Sequence, residues 1–343
     1  MTQEEQIRAI KNIFVPTNTL QEILGAMKRI RELSKICDYQ TDPDCMFITG
    51  ETGVGKTTYI NQYMNKNPRY TLQDDDVERT IVPVLYCSMP KAKHPKPIIA
   101  AILTVLGDPL QGANGDARQL TERLVRLVQE TRVELIIIDE FQHGIESKSK
   151  NVIQEIGEWF KIFINSARIP IVFVGVPWAR PVLEINVQLK RRVRKRNYTI
   201  PNYTLDTFDV FQMFLQKVEE ALPVKPEHSL WQVEFAFRLF AVSKGNISEL
   251  MDGVIIPAGI EAIYDKSEVI TLSHFIKAVE ENTDFLPENN PISMDIEKVV
   301  AFQQKEESTW NPNAKKTEKR VVDATYAKVK FSDLNLKSIL SKR

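Results

Sequence analysis

The stretch Gly50-Glu51-Thr52-Gly53-Val54-Gly55-Lys56-Thr57 decides the fold of this chain. It matches the phosphate-binding pattern GxxxxGK[ST] at every fixed position, follows the apolar run 45–48 and precedes the helical run 58–64. Glycines let the backbone wrap closely around a phosphate, and the helix that follows adds partial positive charge. A chance glycine-rich turn would seldom lie between a strand and a helix. The sequence therefore predicts a nucleotide-phosphate site.

Residues of this phosphate-binding loop, or P-loop, have separate predicted roles. Lys56 should reach the β- and γ-phosphates of ATP, and the Thr57 hydroxyl should bind Mg²⁺. The predicted nucleotide-binding positions of the loop are Gly50, Thr52, Gly53, Val54, Gly55, Lys56, Thr57 and Thr58. ATP and Mg²⁺ are therefore the expected cofactors.

A pair of carboxylates follows the apolar run Leu135–Ile138, roughly 80 residues after the P-loop. Asp139 suits the acid that holds Mg²⁺ in P-loop enzymes, and Glu140 suits the residue that orients the attacking water. Acids at strand ends can also cap helices. Together with the P-loop, the pair favours ATP hydrolysis over nucleotide binding alone, with Glu140 and Lys56 as catalytic residues.

Short apolar runs alternate with helical segments between residues 41 and 203. The runs predicted as central strands are Cys45–Ile48, Ile81–Tyr86, Leu135–Ile138 and Ile171–Val176. They lack in/out alternation, which is typical of parallel strands covered by helices on both faces. The predicted fold class is α/β, with a parallel sheet between helices in the core at 41–203.

The remaining parts of the chain have different patterns. Residues 1–40 form a lead-in with one helix, and 204–286 show helical periodicity that predicts a small all-helical lid. From residue 287 the sequence becomes polar, and 311–343 contains nine Lys/Arg against three Asp/Glu. Such composition predicts a basic, partly disordered tail at 287–343 that binds a partner.

These motifs resemble those of AAA+ ATPases and, more narrowly, those of the TniB/TnsC family of transposition regulators. The resemblance rests on Ile13-Phe14-Val15-Pro16-Thr17, the P-loop, Asp139-Glu140-Phe141-Gln142-His143, Pro170–Gly175 and Gln188–Val193. It implies an ATP-dependent homo-oligomer, a ring or helical filament, on double-stranded DNA that links a target-selector protein to a transposase. It also implies that Val15 and Pro16 line the adenine site. Their alternative role is a buried chain entry to the first helix.

Two segments depart from the AAA+ pattern. Gly175-Val176-Pro177 follows the last apolar run without the polar sensor residue that many AAA+ proteins have there. Lys244–Glu249, near the start of a lid helix, contains no sensor arginine. We therefore expect weak coupling between ATP and lid position, and slow hydrolysis.

The densest basic run is Lys190-Arg191-Arg192-Val193-Arg194-Lys195-Arg196. In AAA+ assemblies an arginine in this region reaches the γ-phosphate of the neighbouring subunit, where its fork donates two hydrogen bonds. Arg192 is the first candidate for this trans-acting catalytic arginine and Arg191 is the second. A charge run is also typical of a solvated face, and that alternative stays open.

Two lysine-bearing loops are candidates for DNA contact. The formal net charge is zero, with 45 basic and 45 acidic side chains, so DNA binding must come from local patches. The loops after the second apolar run and after the acidic pair should leave the carboxyl end of the sheet, where ring-forming relatives place DNA-tracking residues. Lysines suit sequence-independent phosphate contacts, although exposed lysines also occur without function. The candidates are Lys91, Lys93, Lys96, Lys148 and Lys150.

Composition limits the other possibilities. The three cysteines form no CxxC pair, which argues against a disulfide framework or a zinc site. The amino terminus lacks a signal-peptide pattern and no run approaches the roughly 18 apolar residues of a membrane helix, so a cytoplasmic protein without membrane contact is expected.

Two alternative functions remain open from the sequence. One is another AAA+ DNA-associated ATPase, of the helicase-loader or origin-binding type. The other is a nucleotide switch that recruits proteins without touching DNA. The P-loop is compatible with all three functions, because it reports only nucleotide binding.

Overall fold

The computed structural model describes residues 1–74, 77–144, 150–180, 183, 187–193, 196–311, 314 and 319–334. The chain begins with two helices, α1 (Gln3–Lys11) and α2 (Asn18–Ile36). Each starts at a threonine N-cap whose hydroxyl accepts a backbone N–H of the first turn: Thr2 from Glu5 and Thr17 from Leu20. These caps explain why the lead-in forms two helices and not the single one predicted.

A five-stranded parallel sheet forms the centre of the core. Its strands in spatial order are β4 (Val84–Ser88), β5 (Leu135–Asp139), β6 (Ile171–Gly175), β1 (Met46–Thr49) and β7 (Asn197–Thr199). Parallel neighbours need crossover connections. The helices between these strands are α3 (Lys56–Asn65), α4 (Pro95–Leu106), α5 (Ala117–Glu130), α6 (Lys150–Ala167) and α7 (Val187–Val193). The predicted α/β class is confirmed.

The strand boundaries differ from the prediction in two places. The run predicted as one strand at 81–86 is divided, because Pro83 separates β4 from an antiparallel hairpin of β2 (Tyr70–Asp74) and β3 (Val77–Ile81). Strand β7 was not predicted, because its three residues are polar or half-buried at the sheet edge. It pairs with β1 beside the P-loop and so borders the site.

Both faces of the sheet are covered. On one face, Phe141 packs against both Phe160 of α6 and Phe173 of β6, with the ring centroids of Phe141 and Phe173 4.7 Å apart. On the other face, side chains of α2 and α3 such as Met27 and Ile60 pack on β1 and β6. Burial on both faces explains why the strand sequences are continuously apolar.

The lid is helical, as predicted. Its helices are α8 (Phe208–Ala221), α9 (Val233–Ser243), α10 (Ile247–Leu250), α11 (Ile256–Tyr264) and α12 (Leu272–Asn282), with a π-helical turn at Met251–Ile255. Two short parallel strands, β8 (Lys225–Pro226) and β9 (Val269–Ile270), also pair within it. Helix α1 packs on α11, where Gly259 leaves room for the fully buried Ile10. The chain therefore crosses from the lid to the core between α1 and α2.

Much of the described carboxyl-terminal region packs against the lid and the core. Strands β10 (Val300–Glu306) and β13 (Thr325–Lys330) pair antiparallel, as do β11 (Thr309–Trp310) and β12 (Val321–Val322). Val329 belongs to the lid's hydrophobic cluster, whereas Trp310 belongs to the cluster of the core. The composition suggested a tail because only one face of these strands is buried. Polar residues on the exposed face alternate with the buried ones, so the average composition is polar.

None of the helices in these described ranges is both long and apolar enough to span a bilayer.

Candidate nucleotide site

The P-loop connects β1 to α3 in a conformation that requires glycine. Gly53 and Gly55 have φ angles of 84° and 88°, in the left-handed region that side chains rarely adopt. A Cβ on Gly53 would lie 2.5 Å from Oδ1 of Asn246 in the lid. The loop backbone is therefore held close to the lid as well as to the core.

Lys56 is buried inside the loop. Its Nζ donates hydrogen bonds to the backbone oxygens of Gly50, at 2.8 Å, and Glu51, at 2.9 Å. Burial lowers the pKa of Lys56, and the carboxylates of Asp139, Glu140 and Glu51 oppose that shift. An ammonium group has three N–H donors, so Lys56 can bond the loop carbonyls and a phosphate oxygen together.

The structure brings Thr57 and Asp139 together at the carboxyl end of β5. Oδ2 of the buried Asp139 accepts hydrogen bonds from the Thr57 hydroxyl at 3.1 Å and from the Tyr86 hydroxyl at 3.0 Å. Hydroxyl and carboxylate oxygens are ligands that suit Mg²⁺. Burial and the Asp139 carboxylate raise the pKa of Tyr86, which keeps the phenol as a hydrogen-bond donor. Tyr86 was not predicted from the sequence.

No group of three or more His, Cys, Asp or Glu side chains that could hold a metal ion occurs among the described residues. A Mg²⁺ ion at Thr57 and Asp139 would therefore need further oxygens from phosphate and water. That is the usual arrangement for Mg²⁺ bound with a nucleotide.

Glu140 lies directly after β5 with a positive φ of 53°, which turns its side chain out of the strand. Gln142 donates from Nε2 to the Glu140 carboxylate and accepts at Oε1 from the backbone N–H of Val176, at 3.4 Å. His143 Nε2 lies 3.9 Å from the same carboxylate. Gln142 thus supplies a polar group next to Val176, where the AAA+ sensor residue was missing. The motif 139–143 was the only sequence signal for it.

Residues of the P-loop, Glu140, Gln142 and Val176 line a cavity of about 380 Å³. Its polar end is formed by P-loop residues together with Glu140 and Gln142. The other end is mainly apolar and is lined by Ile13, Ile247, Met251 and Ile256, with Lys11, Ser248 and Asp252 beside them. A cavity with a phosphate-binding end and an apolar end fits a purine nucleotide.

The segment between α1 and α2 reaches this cavity through Ile13. Val15 is buried in the lid's hydrophobic cluster and Pro16 is exposed, and neither side chain lines the cavity. The adenine contact of these two residues stays a prediction. Ile13 was part of the quoted motif, but its position on the cavity depends on how α1 docks on the lid.

The lid contacts the P-loop through Asn246. Its Nδ2 donates to the Thr52 carbonyl at 2.8 Å, and its Oδ1 accepts the N–H groups of Ser248 and Glu249, which caps α10. The Ser248 N–H donates to the Gly53 carbonyl at 2.9 Å. At the start of this lid helix, where the sequence has no arginine, Asn246 therefore makes the contact between the lid and the P-loop.

Comparison with known proteins agrees with this geometry. A sequence model of the family described as "Bacterial TniB protein" matches residues 7–202, more than half of the chain. The chain belongs to the TniB family. The match includes the P-loop, the acidic pair and the basic run. No curated protein matches the chain.

Solved structures share the fold of this TniB-family chain. The ORC2 protein of Aeropyrum pernix in ADPNP-ADP complexes is 17% identical, with a TM-score of 0.55, over 84% of this chain and 75% of that one. The Aeropyrum pernix ORC1 protein in complex with DNA is 16% identical, with a TM-score of 0.55, over 80% and 69%. Cdc6p from Pyrobaculum aerophilum is 13% identical, with a TM-score of 0.52, over 84% and 74%. These similarities establish an AAA+ fold.

The described residues of the basic run are those on α7, up to Val193, and Arg196. Arg192 donates to Asp42 Oδ2 at 2.8 Å and to Asn165 Oδ1 at 2.7 Å, and its side chain is 12% exposed. Arg191, on the same helix, is exposed. Arg196 pairs with Asp44 at 2.9 Å. Residues 194 and 195 lie outside the described residues.

The structure describes the side chains of only some of the predicted DNA-binding lysines. Lys91, Lys93 and Lys96 are all exposed in the segment between β4 and the first turn of α4, at the carboxyl end of the sheet. Lys148 lies outside the described residues, and Lys150 begins α6 with a side chain that is likewise outside them. DNA contact by these lysines stays a prediction.

Proposed function

We propose that this TniB-family protein is a Mg²⁺-dependent AAA+ ATPase that assembles with copies of itself on double-stranded DNA and regulates transposition. In this role it connects a target-selector protein to a transposase. The observation that carries the proposal is that Lys56, Thr57 and Glu140 line one cavity, with Asp139 bonded to Thr57, in a chain of the TniB family.

The proposed chemistry follows from the positions of these side chains. Lys56 and the P-loop N–H groups bind and orient the phosphates, while Thr57 and Asp139 would hold Mg²⁺. A bound Mg²⁺ would neutralise part of the negative charge on the phosphates. Glu140, held by Gln142, orients a water for in-line attack on the γ-phosphorus. The apolar end near Ile13 takes the base.

Binding to DNA is supported by exposed lysines at one end of the sheet. Lys91, Lys93 and Lys96 present three cations in a segment, residues 91–96, that contains no arginine, asparagine or glutamine. Contacts of this type neutralise DNA phosphates irrespective of sequence and weaken as salt concentration rises. This pattern suits an assembly that coats DNA wherever a target selector directs it.

Electron microscopy of the protein with random-sequence duplex DNA tests the proposal. With Mg²⁺ and a slowly hydrolysed ATP analogue, we expect rings or helical filaments on the DNA, and with ADP or without nucleotide we expect far fewer. Assemblies that form without DNA would favour a nucleotide switch. Unassembled protein in every condition would contradict the proposed role.

The trans-acting arginine is expected to be Arg191 if it comes from this run, because Arg192 is engaged by Asp42 and Asn165 of its own subunit. Arg191→Ala should keep ATP affinity and lower hydrolysis in the assembled state by about 10³-fold, near the lower end of what such arginines contribute. Arg192→Ala should instead lower the melting temperature, because α7 loses the hydrogen bonds from Arg192 to Asp42, Pro43 and Asn165. Turnover per subunit and thermal denaturation measure the two effects.

Mixing two inactive variants separates a shared site from a damaged one. Lys56→Ala and Arg191→Ala subunits each keep the half-site that the other lacks, so co-assembled mixtures should recover part of the activity. Arg196→Ala is the control, since it removes the same charge from a residue paired with Asp44. If the mixture stays inactive although both proteins co-assemble, or if Arg192→Ala alone loses hydrolysis while folding normally, Arg191 is not the trans arginine.

A further inference from the structure

Glu51, the second residue of the P-loop, directs its side chain away from the nucleotide cavity. Its carboxylate accepts hydrogen bonds from the Ser308 N–H at 2.8 Å, from the Ser308 hydroxyl at 3.0 and 3.1 Å, and from Gln304 Nε2 at 3.3 Å. Ser308 is 7% exposed. All of these donors lie in one segment of the chain, so the Glu51 carboxylate binds that segment specifically. Each of these hydrogen bonds is charge-assisted and therefore stronger than a bond between neutral groups.

The same residue also contacts the catalytic lysine. The backbone oxygen of Glu51 accepts a hydrogen bond from Lys56 Nζ at 2.9 Å, while its side chain holds Ser308. One residue therefore joins the phosphate-binding ammonium group to the carboxyl-terminal segment. No other P-loop residue combines these two contacts within the described part of the chain.

A second set of hydrogen bonds closes a circuit around the P-loop. Gln304 Oε1 accepts from Asn202 Nδ2 at 2.7 Å, and Asn202 Oδ1 accepts from Asn246 Nδ2 at 3.0 Å. Asn246 Nδ2 in turn donates to the Thr52 carbonyl. Asn202 and Asn246 are both nearly fully buried. Buried, satisfied networks of this kind hold their members in one arrangement.

The carboxyl-terminal segment 300–310 is anchored at both of its ends. Ala301 of β10 is fully buried in the lid's hydrophobic cluster, and Trp310 is buried in the cluster of the core. Tyr326 of β13 lies close enough to Glu51 that burial and this carboxylate raise the pKa of its hydroxyl. Ser308 is thus held between two anchors and cannot follow the P-loop without moving the strand pair β10–β13.

We propose that Glu51 is a positioning residue for nucleotide binding, and that it couples the P-loop to segment 300–310. Nucleotide bound at Lys56 stabilises the loop arrangement that holds Ser308, and an ordered segment in turn stabilises the loop that binds nucleotide. Such coupling is reciprocal by thermodynamic necessity. The inference rests on the nucleotide binding proposed above. Through this coupling, the carboxyl-terminal region contributes to nucleotide binding. A partner that binds to this region would then alter the affinity for ATP.

Hydrogen exchange and calorimetry with Mg·ADP as the probe test this coupling in the full chain. In the wild type, Mg·ADP should slow amide exchange in residues 300–310. Glu51→Ala should lose this protection and bind Mg·ADP about 10-fold more weakly, within the usual range of coupling between sites. Ser308→Ala, which removes a single hydroxyl, should shift both measurements in the same direction by a smaller factor. The double variant should add little to Glu51→Ala, because both changes remove one interaction.

Glu307→Ala is the matched control. It removes an exposed carboxylate next to Ser308 and should leave affinity and protection as in the wild type. Wild-type protein that binds Mg·ADP without protection of 300–310, or Glu51→Ala protein that keeps that protection, would overturn the coupling and leave the proposed function intact. Wild-type protein that binds no nucleotide would overturn both.

Discussion

Replacing Glu140 by glutamine is expected to lower kcat for ATP hydrolysis by about 10²–10⁴-fold, the range attributed to positioned general bases. Mg·ATP should still bind with near-wild-type affinity, because Lys56, Thr57 and Asp139 are unchanged. An amide has no charge with which to polarise the attacking water. ATP binding by calorimetry and phosphate release under the same conditions provide the measurement.

The glutamine should fit the site without rearrangement. Gln142 Nε2 donates to the Glu140 carboxylate, and the side-chain oxygen of a glutamine at position 140 can accept the same hydrogen bond. The positive φ at this position does not depend on whether the side chain is an acid or an amide. Loss of turnover therefore reports the missing carboxylate and not a shifted loop.

The variant should also accumulate in the ATP-bound assembly on DNA, since the step that ends this state is slowed. Glu130→Gln at the end of α5 is the charge-matched control, and it should turn over ATP normally. If Glu140→Gln hydrolyses ATP at the wild-type rate and the assemblies still come apart, another group orients the water. His143, 3.9 Å from the Glu140 carboxylate, would then be the next candidate.

The P-loop end of the cavity could be predicted from the sequence because its parts are local. A P-loop needs only a strand, glycines in the left-handed region and a helix start, and all three are contiguous at 46–65. The meeting of Asp139 with Thr57 followed from a parallel sheet, which places the carboxyl ends of β5 and β1 at one edge. Local motifs and sheet topology were sufficient for this end of the cavity.

The apolar end of the cavity and the lid contacts could not be predicted in this way, because they depend on how distant segments pack. Ile13 reaches the cavity because α1 docks on the lid through Ile10, and no pattern around residue 13 encodes that docking. In the sequence, Asn246 belongs to a segment whose one distinctive feature is the lack of an arginine. Its contact with the Thr52 carbonyl spans 194 positions of sequence.

The partners of charged and polar surface residues could not be predicted from the sequence. Arg192 stood out in a basic run, but its partners Asp42 and Asn165 lie 150 and 27 positions away in the sequence. The strand pair β10–β13 was hidden in a stretch whose exposed face is rich in lysine. Composition reports the average of both faces, whereas packing uses only one of them.

Replacing Lys56 by alanine is expected to weaken Mg·ATP binding by about 10- to 150-fold, the effect of losing hydrogen bonds from a charged donor worth about 1.5–3 kcal/mol. Nucleotide-dependent assembly on DNA should be lost with it. The fold should be retained, because Lys56 belongs to none of the hydrophobic clusters that hold the core and the lid together. Calorimetry, circular dichroism and electron microscopy provide the three measurements.

Lys66→Ala, at the other end of α3, is the matched control for this prediction. It removes the same charge from the same helix at an exposed position and should bind Mg·ATP as the wild type does. Because Lys56 also donates to the Gly50 and Glu51 carbonyls, Lys56→Ala should in addition loosen segment 300–310, which Glu51 holds through Ser308. Wild-type ATP affinity in a folded Lys56→Ala protein would mean that the phosphates bind elsewhere, and the assignment of the P-loop would have to be abandoned.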